Sequence, residues 1–165
     1  MIETERLIIR EFTRDDANLL PVILSDKEVM KYSFRGLCSH KEIEEYVESC
    51  IANYSEYGFG QWAVIEKTRL KLIGVCGLNP GFDGDKSIIH LAARFAVAFW
   101  GKGFASEALI AITNYAKYTL KLKSYYSLVE PDNVRSINIV LAKGFKFQKA
   151  TIYKNKVLNH YIKLL

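Results

Sequence analysis

The chain has little cysteine and nothing arranged to hold a metal. Its three thiols, Cys38, Cys50 and Cys76, are odd in number and widely separated. That spacing excludes a disulfide framework and a zinc ligand set. Cys50 and Cys76 stand among apolar residues and read as small core side chains. No cysteine–histidine arrangement for nucleophilic catalysis is evident. No apolar run approaches the roughly 20 residues that span a bilayer, and the charged start, Met1 to Arg6, lacks the apolar core of a secretory signal. A cytoplasmic protein with no membrane partner is expected. There is no internal repeat, low-complexity segment or linker, so the 165 residues are read as one domain, 1–165. Nucleic-acid motifs, the Walker loop and the longer Gly-x-Gly-x-x-Gly fingerprint are also missing.

Charge is present but unevenly placed. From residue 117 onward there are ten Lys or Arg against only Glu130 and Asp132, whereas the first 116 residues carry 13 against 16 acids. A basic C-terminal third suits a polyanionic ligand or a surface near nucleic acid; the alternative is a solvated lysine-rich rim.

The stretch from Phe95 to Ala108 organises the chain. It begins as an apolar run, breaks at Gly101 and Gly103, and opens into a helical pattern. Ala105, Ala108, Leu109, Ile112, Tyr115, Ala116 and Leu120 recur at steps of three and four, one face of an amphipathic helix. A strand that ends in glycines before a helix leaves free amides at the positive end of the helix dipole, a geometry that binds phosphate. The same spacing also serves a plain strand–helix turn.

Along the rest of the chain, Thr4–Phe12 reads as a strand. Thr13 with Asp16 opens a helix through about Leu24, and Lys27–Tyr32 is a short second helix. Ser39 with Glu42 caps a third helix, whose stripe Ile43, Tyr46, Val47, Cys50, Ile51, Tyr54 ends at Gly58 and Gly60. Gln61–Glu66 and Lys71–Leu78 are strands, followed by a loop over 79–85. Ser87–Val97 is a long strand and Lys123–Val129 the next. A helix over about Val134–Lys143 stops at Gly144, and Phe145–Tyr153 and Val157–Leu164 close the chain as strands. This order predicts an α+β fold with one sheet and helices packed on it.

Three segments carry a resemblance. Trp100-Gly101-Lys102-Gly103-Phe104-Ala105-Ser106-Glu107-Ala108 closely resembles the acyl-CoA pyrophosphate loop of the GNAT superfamily of N-acetyltransferases. The start, Thr4 to Ala17, is similar to the Rim-type branch, which acetylates protein N-termini, especially of ribosomal proteins. Glu130 to Ser136, followed by Lys143-Gly144-Phe145, is similar to the family's Pro-x-Asn-x-x-Ser and Lys-x-Gly-Phe signatures. The resemblance covers nearly the whole chain. It implies a mixed, mostly antiparallel seven-stranded sheet flanked by helices, with a splayed parallel pair in the middle. Acetyl-CoA is then the co-substrate, with no metal, and an amine is the acceptor: a protein N-terminus or a small molecule. The protein would be a monomer or a homodimer.

By this resemblance, the backbone of Phe95, Ala96 and Val97 pairs with the pantetheine arm. Trp100, Gly101, Lys102, Gly103, Phe104 and Ala105 form the pyrophosphate loop, with amides as donors. Lys102 either adds charge or is simply exposed. Asn133 and Ser136 match positions near the thioester; Ser136 is then the proton donor to the leaving thiolate or a serine bonded within its helix. Rim-type chains often carry Glu-x-Gly-Tyr on the central strand, whereas this chain reads His90-Leu91-Ala92-Ala93-Arg94. His90 stands where that glutamate falls and is a candidate general base or a structural histidine. Alternation puts His90, Ala92, Arg94 and Ala96 on one face, where Arg94 opposes a cationic amine or binds an acceptor carboxylate. The rival functions are a CoA-binding module without turnover and a basic ribosome- or RNA-associated protein.

Overall fold

The computed structural model describes residues 1–165, the side chain of Phe82 apart. Among the described residues eight strands form one sheet: β1 (Ile2–Glu3), β2 (Leu7–Arg10), β3 (Gln61–Glu66), β4 (Lys71–Asp83), β5 (Lys86–Phe95), β6 (Ser124–Val129), β7 (Lys146–Tyr153) and β8 (Lys156–Leu164). Their order across the sheet is β1-β2-β3-β4-β5-β6-β8-β7. Every neighbouring pair is antiparallel except β5–β6, which is parallel. The helices are α1 (Pro21–Leu24), α2 (Lys27–Met30), α3 (His40–Tyr57), α4 (Phe104–Tyr118) and α5 (Val134–Ala142).

Three elements differ from the expectation. The first strand is split, because Thr4 turns the chain back (its amide bonds the Leu7 carbonyl) and pairs Ile2 with Ile9. This adds the eighth strand to the seven expected. The helix expected from Thr13 to Leu24 is a 3-10 turn over Arg14–Asn18 and then α1. Pro21 has no amide to continue an earlier helix and so starts a new one. The loop expected over 79–85 is a hairpin: β4 runs on to Asp83 and pairs with Lys86. Ser39 and Glu42 do cap α3, and Gly58 closes it.

The sheet has a packed core on each face. Leu7, Ile9, Val64, Ile73 and Leu78 pack with Leu109 and Ile112 of α4. Ala63, Ile65 and Val75 pack on the opposite side with Leu20, Ile23, Ile43 and Val47. β3 lies under both layers, and all six of its residues are buried. The three cysteines are buried, and burial pushes the Cys50 thiol up to about 11 and Cys76 to about 12. None is a nucleophile at neutral pH.

Candidate functional site

The parallel pair is bridged at only two positions, His90–Tyr126 and Leu91–Ser127. Beyond them β5 keeps β4 as its partner as far as Phe95, while β6 continues with β8. A gap therefore opens between the two central strands. The Ala96 amide bonds the Ile73 carbonyl at 2.9 Å, so strand alternation turns the backbone polar groups of Ala93 and Phe95 toward the gap. The Val97 amide has no partner among the described residues, but Ala96 is buried, with its amide and carbonyl both engaged within the protein. Of the three residues expected to pair with pantetheine, Phe95 and Val97 present the open amides and Ala96 does not. The Phe95 carbonyl is already capped by the Trp100 indole N–H at 2.6 Å.

The chain leaves β5 through a 3-10 turn over Val97–Phe99, then Gly101 and Gly103, both at positive φ (+74° and +82°), deliver it to α4. A Cβ at either position would strain this path. The first capped amide of α4 is that of Glu107, bonded to the Gly103 carbonyl. None of the amides from Gly101 to Ser106 has a partner among the described residues. Six donors thus stand unpartnered at the positive end of a four-turn helix. The Lys102 ammonium folds back onto the Ala98 carbonyl at 2.8 Å.

A clamp that the sequence did not disclose holds this loop. The Glu107 carboxylate accepts from the Thr4 hydroxyl, the Arg6 amide at 2.9 Å and Arg6 Nε at 2.7 Å. A second Arg6 nitrogen bonds the Lys102 carbonyl at 2.9 Å. Glu107 stays ionised, because these donors outweigh the burial that pushes the other way. On the opposite side of the gap, Asn133 caps α5 by accepting from the Ser136 amide at 3.3 Å. The Ser136 hydroxyl has no partner among the described residues. Arg135, between them, stacks its guanidinium 3.7 Å from the centre of the Trp100 ring.

His90 lies on the face covered by α1–α3, over Gly81, where a Cβ would come within 2.9 Å of the His90 ring. Burial lowers its pKa, with the charges of Arg94 and His160 adding to the effect, so the ring is neutral at pH 7. His160, 3% exposed, approaches the Tyr126 ring edge-on at 6.2 Å. Its Nε2 meets the Thr151 hydroxyl at 2.7 Å, and its Nδ1 is buried without a partner. The segment over residues 31–38 walls this side. Tyr32 donates to the Asp132 carbonyl, Ser33 accepts from Arg94, and Phe34 packs edge-on against Tyr153. Sequence periodicity could not reveal Glu107's partner a hundred residues away, nor His160, an isolated histidine on a late strand.

Two open recesses, of about 870 and 760 Å³, lie elsewhere. One is between β1 and α4, the other at the far end of the β5–β6 pair, and neither is lined by His90, Arg94 or residues 101–105. The gap itself is an open groove.

Comparison with known proteins agrees with this architecture. The acetyltransferase (GNAT) domain family matches residues 6–146. An uncharacterised N-acetyltransferase of Bacillus licheniformis, p20, is 29% identical over 92% of this chain and 84% of its own. The structure of a GNAT-family acetyltransferase from Bacillus anthracis superposes with a TM-score of 0.85 at 24% identity, covering 99% of this chain and 97% of that one. RimL, a ribosomal L7/L12 α-N-protein acetyltransferase, solved with coenzyme A, superposes at 0.81 with 17% identity, covering 98% and 96%. The chain belongs to the GNAT family of acetyl-CoA-dependent N-acetyltransferases.

Proposed function

We propose that the protein transfers the acetyl group of acetyl-CoA to an amine by direct attack within a ternary complex. The observation that carries this reading is the coincidence of two features, one on a strand and one in the loop that follows it. The outward edge of β5 loses its β6 partner after Leu91, and a few residues later six unpartnered amides gather at Gly101–Ser106. An extended pantetheine arm can take the place of a strand along that edge, as added strands do. Its pyrophosphate then rests on the amides.

The chemistry asks for a base, an oxyanion donor and an acid. Neutral His90 accepts a proton from the acceptor ammonium, directly or through water. The freed amine nitrogen attacks the thioester carbonyl carbon, the C–S bond breaks as the amide forms, Ser136 donates a proton to the departing thiolate, and the second proton of the nitrogen passes through water to restore the Ser136 hydroxyl. The free Ser136 hydroxyl supports this assignment over a serine bonded within its helix. The Rim-type likeness, with RimL among the structural neighbours, makes a peptide N-terminus one acceptor class; a small amine is the other.

The test is calorimetric titration with acetyl-CoA, followed by thiol release across a panel of peptides and amines. Saturable binding with acceptor-dependent CoA release is expected. Tight binding without release for any amine contradicts the transferase reading.

A further inference from the structure

We infer that the acceptor carries a carboxylate besides its amine, and that Arg94 receives it. This rests on the transferase reading and narrows its substrate class. Arg94 lies on the His90 face of β5, and one guanidinium nitrogen bonds the Ser33 hydroxyl at 3.2 Å. Among the described residues it makes no ion pair. Arg35, whose guanidinium lies over the Tyr46 ring at 5.3 Å, makes none either. Both charges act on the buried Cys38 and Cys50 thiols, and that of Arg94 also on the Tyr46 hydroxyl. Both cations stand on the side of the sheet covered by α3 and the 31–38 segment. Glu42, whose carboxylate feels the Arg35 charge, is committed to the amide and hydroxyl of Ser39.

A second, independent observation points to a ligand here. Gln61 is 2% exposed, and both polar atoms of its amide lack a partner among the described residues. Buried polar groups are ordinarily satisfied, and leaving them unpaired is costly. Gln61 pairs across the sheet with Gly77, and Gly77 with Ala92, which puts it on the face of Arg94. Two guanidiniums that make no ion pair among the described residues, with an unsatisfied amide on the same face, supply donors and positive charge, a setting that fits a carboxylate. A polyamine, cationic at both ends, meets repulsion in the same place.

Arg94 is four residues along β5 from His90, roughly 13 Å between Cα atoms at strand rise. Free amino acids and short peptides with an acidic second residue share the required chemistry.

The experiment measures thiol release with matched acceptor pairs: an amino acid against its amide, and a dipeptide ending in Asp against the Asn-amide equivalent. At least a tenfold preference in kcat/KM for the acid member is expected, and the favoured pair separates the two sources. Arg94→Gln should raise KM for the acid by tenfold or more without changing acetyl-CoA affinity, and Arg94→Lys should recover part of the loss. Equal kcat/KM for acid and amide, or a preference that survives Arg94→Gln, overturns the inference while leaving the transferase reading intact. A binding readout needs no turnover. The N-acetylated acid, added with CoA, should raise the melting midpoint of the wild type but not of Arg94→Gln. Equal protection of both proteins overturns it too.

Discussion

The guanidinium of Arg135 lies over the Trp100 ring, 3.7 Å from its centre, and so ties the loop leaving β5 to the helix following β6. These are the two arms that part at the central gap. The same indole donates to the Phe95 carbonyl on the gap edge. Trp100 thus sits between the strand edge read as the pantetheine track and the loop read as the pyrophosphate cradle.

Acetyl-CoA should therefore change the fluorescence of Trp100. Trp62 is buried in the core beside Tyr54 and Tyr115 and provides a constant background. A saturable emission change is expected in the wild type and in Trp62→Phe, but not in Trp100→Phe. Arg135→Ala should red-shift the free protein and lower stability by about 0.5–1 kcal/mol, the usual worth of an exposed cation–π pair.

The clamp on Glu107 predicts coupling between the N-terminal strand and the cofactor loop. Glu107→Ala removes three hydrogen bonds to Thr4 and Arg6, two of them charge-assisted by the carboxylate alone. With Arg6 partly exposed, the expected loss is about 1–3 kcal/mol. Urea titration reads this directly, and weaker acetyl-CoA binding should accompany it. A variant with wild-type stability and affinity would show that the clamp does neither job.

His90 predicts both a rate profile and a stability profile. Burial lowers the pKa of His90 and of His160 below the ordinary 6.5. The unfolded chain therefore takes up protons in a pH range where the native rings refuse them. Stability from this source is complete above about pH 6.5 and is lost as pH falls through the window down to the folded values. Melting midpoints between pH 8 and 5 should decline accordingly, and less steeply in His90→Gln. Turnover should fall on the same acidic side, and His90→Gln should cost roughly 10²–10⁴ in kcat with acetyl-CoA affinity retained. An unchanged pH–rate profile in the variant removes His90 as the base.

Much of the fold was legible in local pattern. The Ser39–Glu42 box, the α4 stripe and the Gly101–Gly103 break are signals within a few residues, and each emerged at its expected place. Pro21 also carried its message plainly, but the apolar periodicity around it masked the break. The hairpin at Gly84–Asp85 was hidden because Asn79-Pro80-Gly81 has loop composition. In the structure Gly81 is a strand residue whose missing Cβ makes room for His90. The site was legible only on its backbone side. Trp100 with Arg135, Glu107 with Arg6, and Arg94 with Ser33 are contacts between distant segments, which no periodicity encodes.

Calorimetric binding of acetyl-CoA to the wild type and to Gly103→Glu decides whether residues 101–106 hold the pyrophosphate. The substitution adds a carboxylate to the loop from a Cβ that would lie 3.3 Å from the Arg6 guanidinium, and its positive φ costs about 1–2 kcal/mol of stability, so foldedness is checked by circular dichroism. The account predicts tight, saturable binding by the wild type and at least a hundredfold loss in a folded variant. Equal affinity in the two proteins would contradict the assignment of Gly101–Ser106 as the pyrophosphate cradle.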